Sequence, residues 1–172
     1  SDRPWCEFQA LNRHELRLIG QINDTRVTVA QQTLRDAFIA QALASPDAIA
    51  LADQQQQCTY RELRLQTEYL AARLQRAGVE SGHIVAVALP RSLKLSLALY
   101  GIVEAGAAYL PLDTSYPDER LAYMVQDAKP QLIITTTELA ERFASLGTLM
   151  LLDELASPAM LNNQLEWVAP RL

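Results

Sequence analysis

The chain has 172 residues, about one domain's worth and long enough to bury a core of its own. Apolar residues make up 49% and charged residues 20%, a balance that excludes a disordered chain. A net charge of −5, with Lys94 and Lys129 the only lysines, argues against the clustered cations that nucleic-acid binding needs.

The N-terminal stretch SDRPWCEFQ has no apolar signal core. Leu16, Ile19 and Ile22 then recur at helical spacing and predict a short amphipathic helix over 12–24, an arm that docks through that face or stays loosely attached. Thr33-Leu34-Arg35-Asp36 resembles a capping box, with Leu34, Phe38 and Ala42 on one face and Ser45-Pro46 as the stop. Residues 48–53 read as a strand, the four glutamines 54–57 as a polar turn and 58–60 as the return strand. Thr59 and Glu62 form a second capping box. Leu63, Thr67, Leu70, Leu74 and Ala77 continue a one-faced helix that Gly78 ends.

IVAVALP (84–90) is continuously apolar, the mark of a strand covered on both faces. A helix over 92–105, ended by Gly106, and a strand over 108–113 follow. The apolar run 95–112 is broken by Ser96, Glu104, two glycines and Pro111, so it predicts helix, turn and strand rather than a membrane span. Pro117 opens the next helix, with Leu121, Val125 and Ala128 on one face and Pro130 beyond its end. Strand 131–137, a helix of about ten residues from Glu138, strand 148–154 and a mixed tail complete the series. The alternation predicts an α/β fold, a doubly wound, largely parallel sheet with flanking helices, in which segments 84–90, 108–112 and 131–136 are central and mutually parallel.

No catalytic constellation stands out. The glycines are dispersed, so neither a dinucleotide-binding fingerprint nor a P-loop is present. Asp53 and Asp113 follow strands, but no acid pair or placed lysine makes them a phosphoacceptor site, and turn capping explains them better. His14 and His83 have no triad around them. Cys6 and Cys58 make neither a disulfide framework nor a zinc pattern, and two scattered thiols fit a reducing cytoplasm. Cys58 reads as a small buried hydrophobe. Arg61, Arg64, Arg73 and Arg76, interleaved with Glu62 and Glu68, read as a solvated helix face.

Several segments together resemble amino-acid adenylation domains of nonribosomal peptide synthetases. Cys58-Thr59-Tyr60-Arg61-Glu62-Leu63 is similar to the motif L-[TS]-Y-x-E-L. Ile102 to Asp113 is similar to L-K-A-G-x-A-Y-L-P-[IL]-D, and Tyr116 to Leu121 to Y-P-x-E-R-[LI]. Ser45 to Leu51 and Gly78 to Val87 match the runs that open these domains and lead into their first core strand. Leu18 to Thr25 resembles the linker that leaves a condensation domain, with Ile22 in place of its tryptophan. Cys58, His83 and Glu104 depart from the usual leucine, aspartate and lysine. The details of 85–91 and 102–113 resemble siderophore synthetases of the enterobactin type.

The resemblance implies residues 1–30 as an interdomain linker or arm and 31–172 as the incomplete N-terminal part of an adenylation domain. It implies ATP and magnesium in the intact domain and a phosphopantetheine thiol on a partner carrier domain. Its partners are the rest of the adenylation domain, neighbouring condensation and carrier domains and a small accessory protein, in the cytoplasm, with neither nucleic acid nor membrane. No catalytic, cofactor-binding or metal residue of the family maps onto this chain, so these residues alone are expected to be inactive, and the matched motifs to be structural. Pro111 then marks a strand end or edge, and Tyr109 packs with its hydroxyl bonded at the sheet margin. The alternatives are part of an acyl- or aryl-CoA ligase and a non-catalytic α/β interaction module.

Overall fold

A computed structural model describes residues 11–28, 31–53 and 56–153. Cys6, Gln54, Gln55 and the mixed tail lie outside the described residues. Two compact units divide after Gln32.

The first unit holds helix α1, Arg13–Asn23. Asn12 Oδ1 accepts from the amides of His14 and Glu15, and Glu15 Oε2 accepts from the Asn12 amide at 2.7 Å. This reciprocal box fixes the first turn locally. The expected packing through Leu16, Ile19 and Ile22 is not seen: all three are exposed and no residue of α1 is buried. Among the described residues of this unit α1 is the one regular element, so the helix has no partner there against which to bury that face.

The second unit opens with α2, Leu34–Ala44, capped by Thr33 and Asp36 as the sequence predicts. Phe38 and Ala42 are buried, but Leu34 at the first turn is 58% exposed, because the buried face of α2 begins one turn later. Strands β1 (Ile49–Ala52) and β2 (Gln57–Thr59) form an antiparallel hairpin. Gln57, expected in the turn, pairs with Ala52, and Tyr60, expected in the strand, opens α3 (Tyr60–Arg76) because the Thr59–Glu62 capping box starts the helix there. Gly78 ends α3 at φ +84°, and the Val79 amide reaches back to the Leu74 carbonyl at 3.0 Å.

The main sheet holds β3 (Ile84–Val87), β4 (Ala108–Pro111), β5 (Leu132–Thr135) and β6 (Leu149–Leu151), ordered β4-β3-β5-β6 and parallel throughout. Helix α4 (Leu93–Glu104) joins β3 to β4, and α5 (Asp118–Ala128) joins β4 to β5. The chain steps outward to β4, then returns past β3 to β5. Crossovers of one hand taken in opposite directions put their helices on opposite faces. Accordingly Val85, Val87, Leu132 and Ile134 pack with Leu70 and Leu74 of α3 and Ala98 and Ile102 of α4. Ala86, Ala88 and Ile133 pack with Leu121, Val125 and Phe143. The parallel, doubly wound expectation holds.

Three details differ. Only β3 and β5 are central; among the described residues β4 is an edge strand, with Pro111 its last residue, where a missing amide costs least. Tyr109 on that edge is 46% exposed, and among the described residues its hydroxyl has no hydrogen-bond partner. The helix from Glu138 is a 3-10 turn, Thr137–Leu139, and one α-turn, α6 (Ala140–Phe143). Phe143 is fully buried and Leu146 bonds back to its carbonyl, so the chain must turn there to reach β6.

Where α3 and α4 cross, a Cβ on Gly101 would stand 2.6 Å from Leu70 Cδ2 and 3.0 Å from its Cβ. Glu104 at the end of α4 is buried and pairs with Arg35 of α2 at 3.0 Å. The glutamate that departs from the motif's lysine therefore ties two helices together.

Candidate functional site at the strand ends

Val87 and Pro111 are paired last residues of adjacent parallel strands. Open parallel sheets bind ligands beyond such carboxyl ends, where loops diverge. Here the loops enclose a cleft of about 670 Å³. Its apolar floor is Leu89, Leu95, Leu112 and Met124, and its polar rim is Arg91, Asp113, Thr114, Tyr116 and Arg120.

The rim is built by the Y-P-x-E-R segment. The Ser115 amide bonds Asp113 Oδ1 at 2.9 Å and, as the largest cause, holds that carboxyl below its usual range. The Ser115 side chain, Arg91 and Arg120 act in the same direction, against desolvation. Arg120 lies over the Tyr116 ring, 3.9 Å from its centroid, so the motif's tyrosine and arginine form a cation–π pair. The floor of the neighbouring strand end is fixed from β5: the buried Thr135 hydroxyl donates to the Ala88 carbonyl at 3.1 Å, and the Ala88 amide donates to Ile134.

Arg142 of α6 holds the rim from outside the cleft. Its Nε donates to Asp118 Oδ1 at 2.6 Å, and its two terminal nitrogens donate to the carbonyls of Thr114 and Tyr116. Neither Arg142 nor the cleft was legible in the sequence. The partners lie 24 to 28 residues away, and no local pattern marks them.

Of the described residues weighed as chemical candidates, Asp113 lies on the rim as a turn cap and the others fall elsewhere. Asp53 accepts from the Gln56 amide at 2.9 Å, as a turn cap does. His83 Nδ1 accepts from the Glu80 amide at 3.1 Å, a local turn bond that an aspartate at this position could also accept. His14 is exposed on α1. Cys58 is half-buried; desolvation first and Glu62 second push its thiol above its ordinary value, which keeps it protonated and unreactive. Arg61 pairs with Asp47 and Arg64 with Glu68, and Arg73 and Arg76 are exposed, as a solvated helix face requires.

Among the described residues no group of three or more His, Cys, Asp or Glu could hold a metal. Among the described residues lining the cleft, Asp113 is the one carboxylate and two guanidiniums act on it, a donor set that does not suit magnesium. The rim suits an anionic group on a partly apolar ligand.

The AMP-binding enzyme family matches residues 38–167. The chain belongs to that family. It is similar to vanchrobactin synthetase VabF of Vibrio anguillarum, 48% identical over 164 residues, covering 95% of this chain and 6% of that protein. It is 52% identical over 135 residues to enterobactin synthase component F of Escherichia coli, covering 78% of this chain and 10% of that one. The chain thus spans a tenth or less of these curated relatives. The crystal structure of the nonribosomal peptide synthetase FmoA3 superposes with a TM-score of 0.78 at 31% identity, over 88% of this chain and 17% of that one. The chain corresponds to the N-terminal portion of a nonribosomal peptide synthetase adenylation domain. No helix among its described residues is long and apolar enough to cross a membrane.

Proposed function

We propose that the chain is the opening portion of an ATP-dependent domain that activates an amino or aryl acid for a siderophore-type peptide, with 1–30 as linker arm and 31–172 as adenylation-domain framework. One observation carries the reading: similarity to vanchrobactin synthetase extends over 164 residues, through the arm and every motif segment. Peptide synthetases at 32% to 52% identity favour it over an acyl- or aryl-CoA ligase.

The intact domain joins the acid's carboxylate to the α-phosphate of ATP, with pyrophosphate leaving. The carrier domain's phosphopantetheine thiol then attacks the acyl carbon and AMP leaves. Both substrates are anions, and in-line chemistry of this kind depends on orientation and charge stabilisation. The sequence has no glycine-rich loop followed by lysine to present amides to phosphates. The groups that hold ATP and magnesium therefore belong to the rest of the domain, and none of the catalytic, cofactor-binding or metal residues is in this chain. This portion's part is architectural: it sets the cleft, its two guanidiniums and its apolar floor. The partners are the remaining adenylation domain, condensation and carrier domains and a small accessory protein, all cytoplasmic.

Pyrophosphate exchange on the full-length synthetase, with accessory protein and a panel of amino and aryl acids, tests the reading. Exchange with one acid is the expected result. Calorimetry on the 172-residue chain should show no saturable ATP binding below the millimolar range. Tight ATP binding there would reveal a phosphate site in this portion. A folded full-length protein silent with every acid would favour the interaction module instead.

A further inference from the structure

We propose that Arg142 is a positioning residue for the activation reaction: from behind the cleft, it fixes the loop whose other side forms the cleft's polar rim. The inference rests on the activity proposed above.

The loop between β4 and α5 has little of its own to hold it. The Asp113 side chain caps the Ser115 amide and the Asp113 carbonyl accepts from the Tyr116 amide. The carbonyls of Thr114 and Tyr116 both accept from Arg142, which is not among the cleft's lining residues. Asp118, on the first turn of α5, orients the same guanidinium through its Nε. One side chain thus bonds the loop within its turn, at the turn's end and at the start of α5. A guanidinium offers donors in a rigid planar fork that can meet three spaced acceptors; an ammonium is a single point that cannot. Arg142 does not line the cleft, whereas Asp113, Thr114, Tyr116 and Arg120 do. The Arg120 guanidinium keeps its place only while the Tyr116 ring beneath it does. Phe143, next to Arg142, is fully buried under the sheet, so the grip is anchored in the core.

The test uses the full-length synthetase with Arg142→Ala and Arg142→Lys, and two readouts. The first is the rate of tryptic cleavage after Arg120, with cleavage after Arg73 and Arg76 as internal reference. The second is the KM and kcat of pyrophosphate exchange for the acid and for ATP. Both variants should be cut after Arg120 at least fivefold faster than wild type, with the reference sites unchanged. Both should raise KM for at least one substrate about tenfold while changing kcat less. Lysine should not rescue, because it keeps the charge and loses the fork. Faster cutting with unaltered KM would reduce Arg142 to a structural brace and overturn the proposal. So would unaltered cutting, or full rescue by lysine. If alanine prevents folding, the lysine variant decides by the same criteria. A wild-type synthetase without exchange would sink the activity itself and the positioning role with it, whereas failure of the variants alone sinks only the role.

Discussion

Replacing Arg35 by methionine should destabilise the domain far more than replacing Glu104, although the two residues share one ion pair. The Glu104 side chain is 4% exposed and that of Arg35 18%, with 3.0 Å between the charged atoms. At an effective dielectric of about 20 their attraction is about 5–6 kcal/mol, and desolvation of several kcal/mol per ion offsets most of it. The pair as a whole therefore contributes little net stability. Removing one partner is different, because it strands the other charge. Arg35→Met leaves a carboxylate buried between α2 and α4, at a cost of about 3–5 kcal/mol. Glu104→Met leaves a long guanidinium stem that can swing its head to solvent, at about 1–3 kcal/mol. The double replacement should lie within about 1 kcal/mol of wild type. Urea titrations followed by far-ultraviolet circular dichroism give all three values and the coupling between them. Equal costs for the two single variants, or a double variant as unstable as their sum, would refute the reasoning.

Gly101→Ala should lower stability by about 1–3 kcal/mol despite alanine's better helix propensity, since the new methyl meets Leu70 at its Cβ and not only at its tip; a rise in thermal midpoint would contradict this. Thr135→Val should cost about 1–3 kcal/mol, because the Ala88 carbonyl just past β3 loses its donor in a dry environment; urea titration measures it. Thr59→Ala should cost about 1 kcal/mol through the lost cap. The same change should flatten the acid limb of the stability curve. Thr59 holds the Glu62 carboxyl below its usual range, first through its backbone amide and then through its hydroxyl. A carboxyl depressed in the folded state adds stability above its unfolded value and loses it as pH falls through the folded one, so the loss sets in below about pH 4. The backbone bond survives this change, so the flattening is partial, and an acid limb as steep as in wild type would show that the hydroxyl does not contribute.

What was legible in the sequence is what short segments decide. The Thr33–Asp36 and Thr59–Glu62 boxes span three residues each, and the helices begin where they say. The continuous apolar runs of β3 and β5 are buried on both faces because helices cover both. Pro111 read as a strand end or an edge, and it is the last residue of an edge strand, although its segment was expected to be central. What depended on distant partners was not legible. Leu139 and Phe143 have helical spacing, yet the core position of Phe143 and the Asp153 carboxylate bonded to the Thr137 amide confine the helix to one turn. Glu104 read only as a departure from the motif's lysine, since its partner Arg35 is 69 residues away. The cleft rim was hidden for the same reason: its motif is local, but the arginine that shapes it arrives from another element.

The capping boxes have one more consequence. Helices α1, α2 and α3 each begin at a self-contained four-residue signal, Asn12–Glu15, Thr33–Asp36 and Thr59–Glu62. At α3 the Tyr60 and Arg61 amides also donate to the upstream carbonyls of Ala48 and Pro46, whereas α2 starts on its own cap. A recombinant junction placed just before Thr33 therefore leaves α2 with its full complement of end bonds, whereas one placed two residues later removes the Thr33 hydroxyl and frays the helix that carries Arg35. For anyone joining this portion to another chain, a threonine and an aspartate set the furthest point to which the seam can advance.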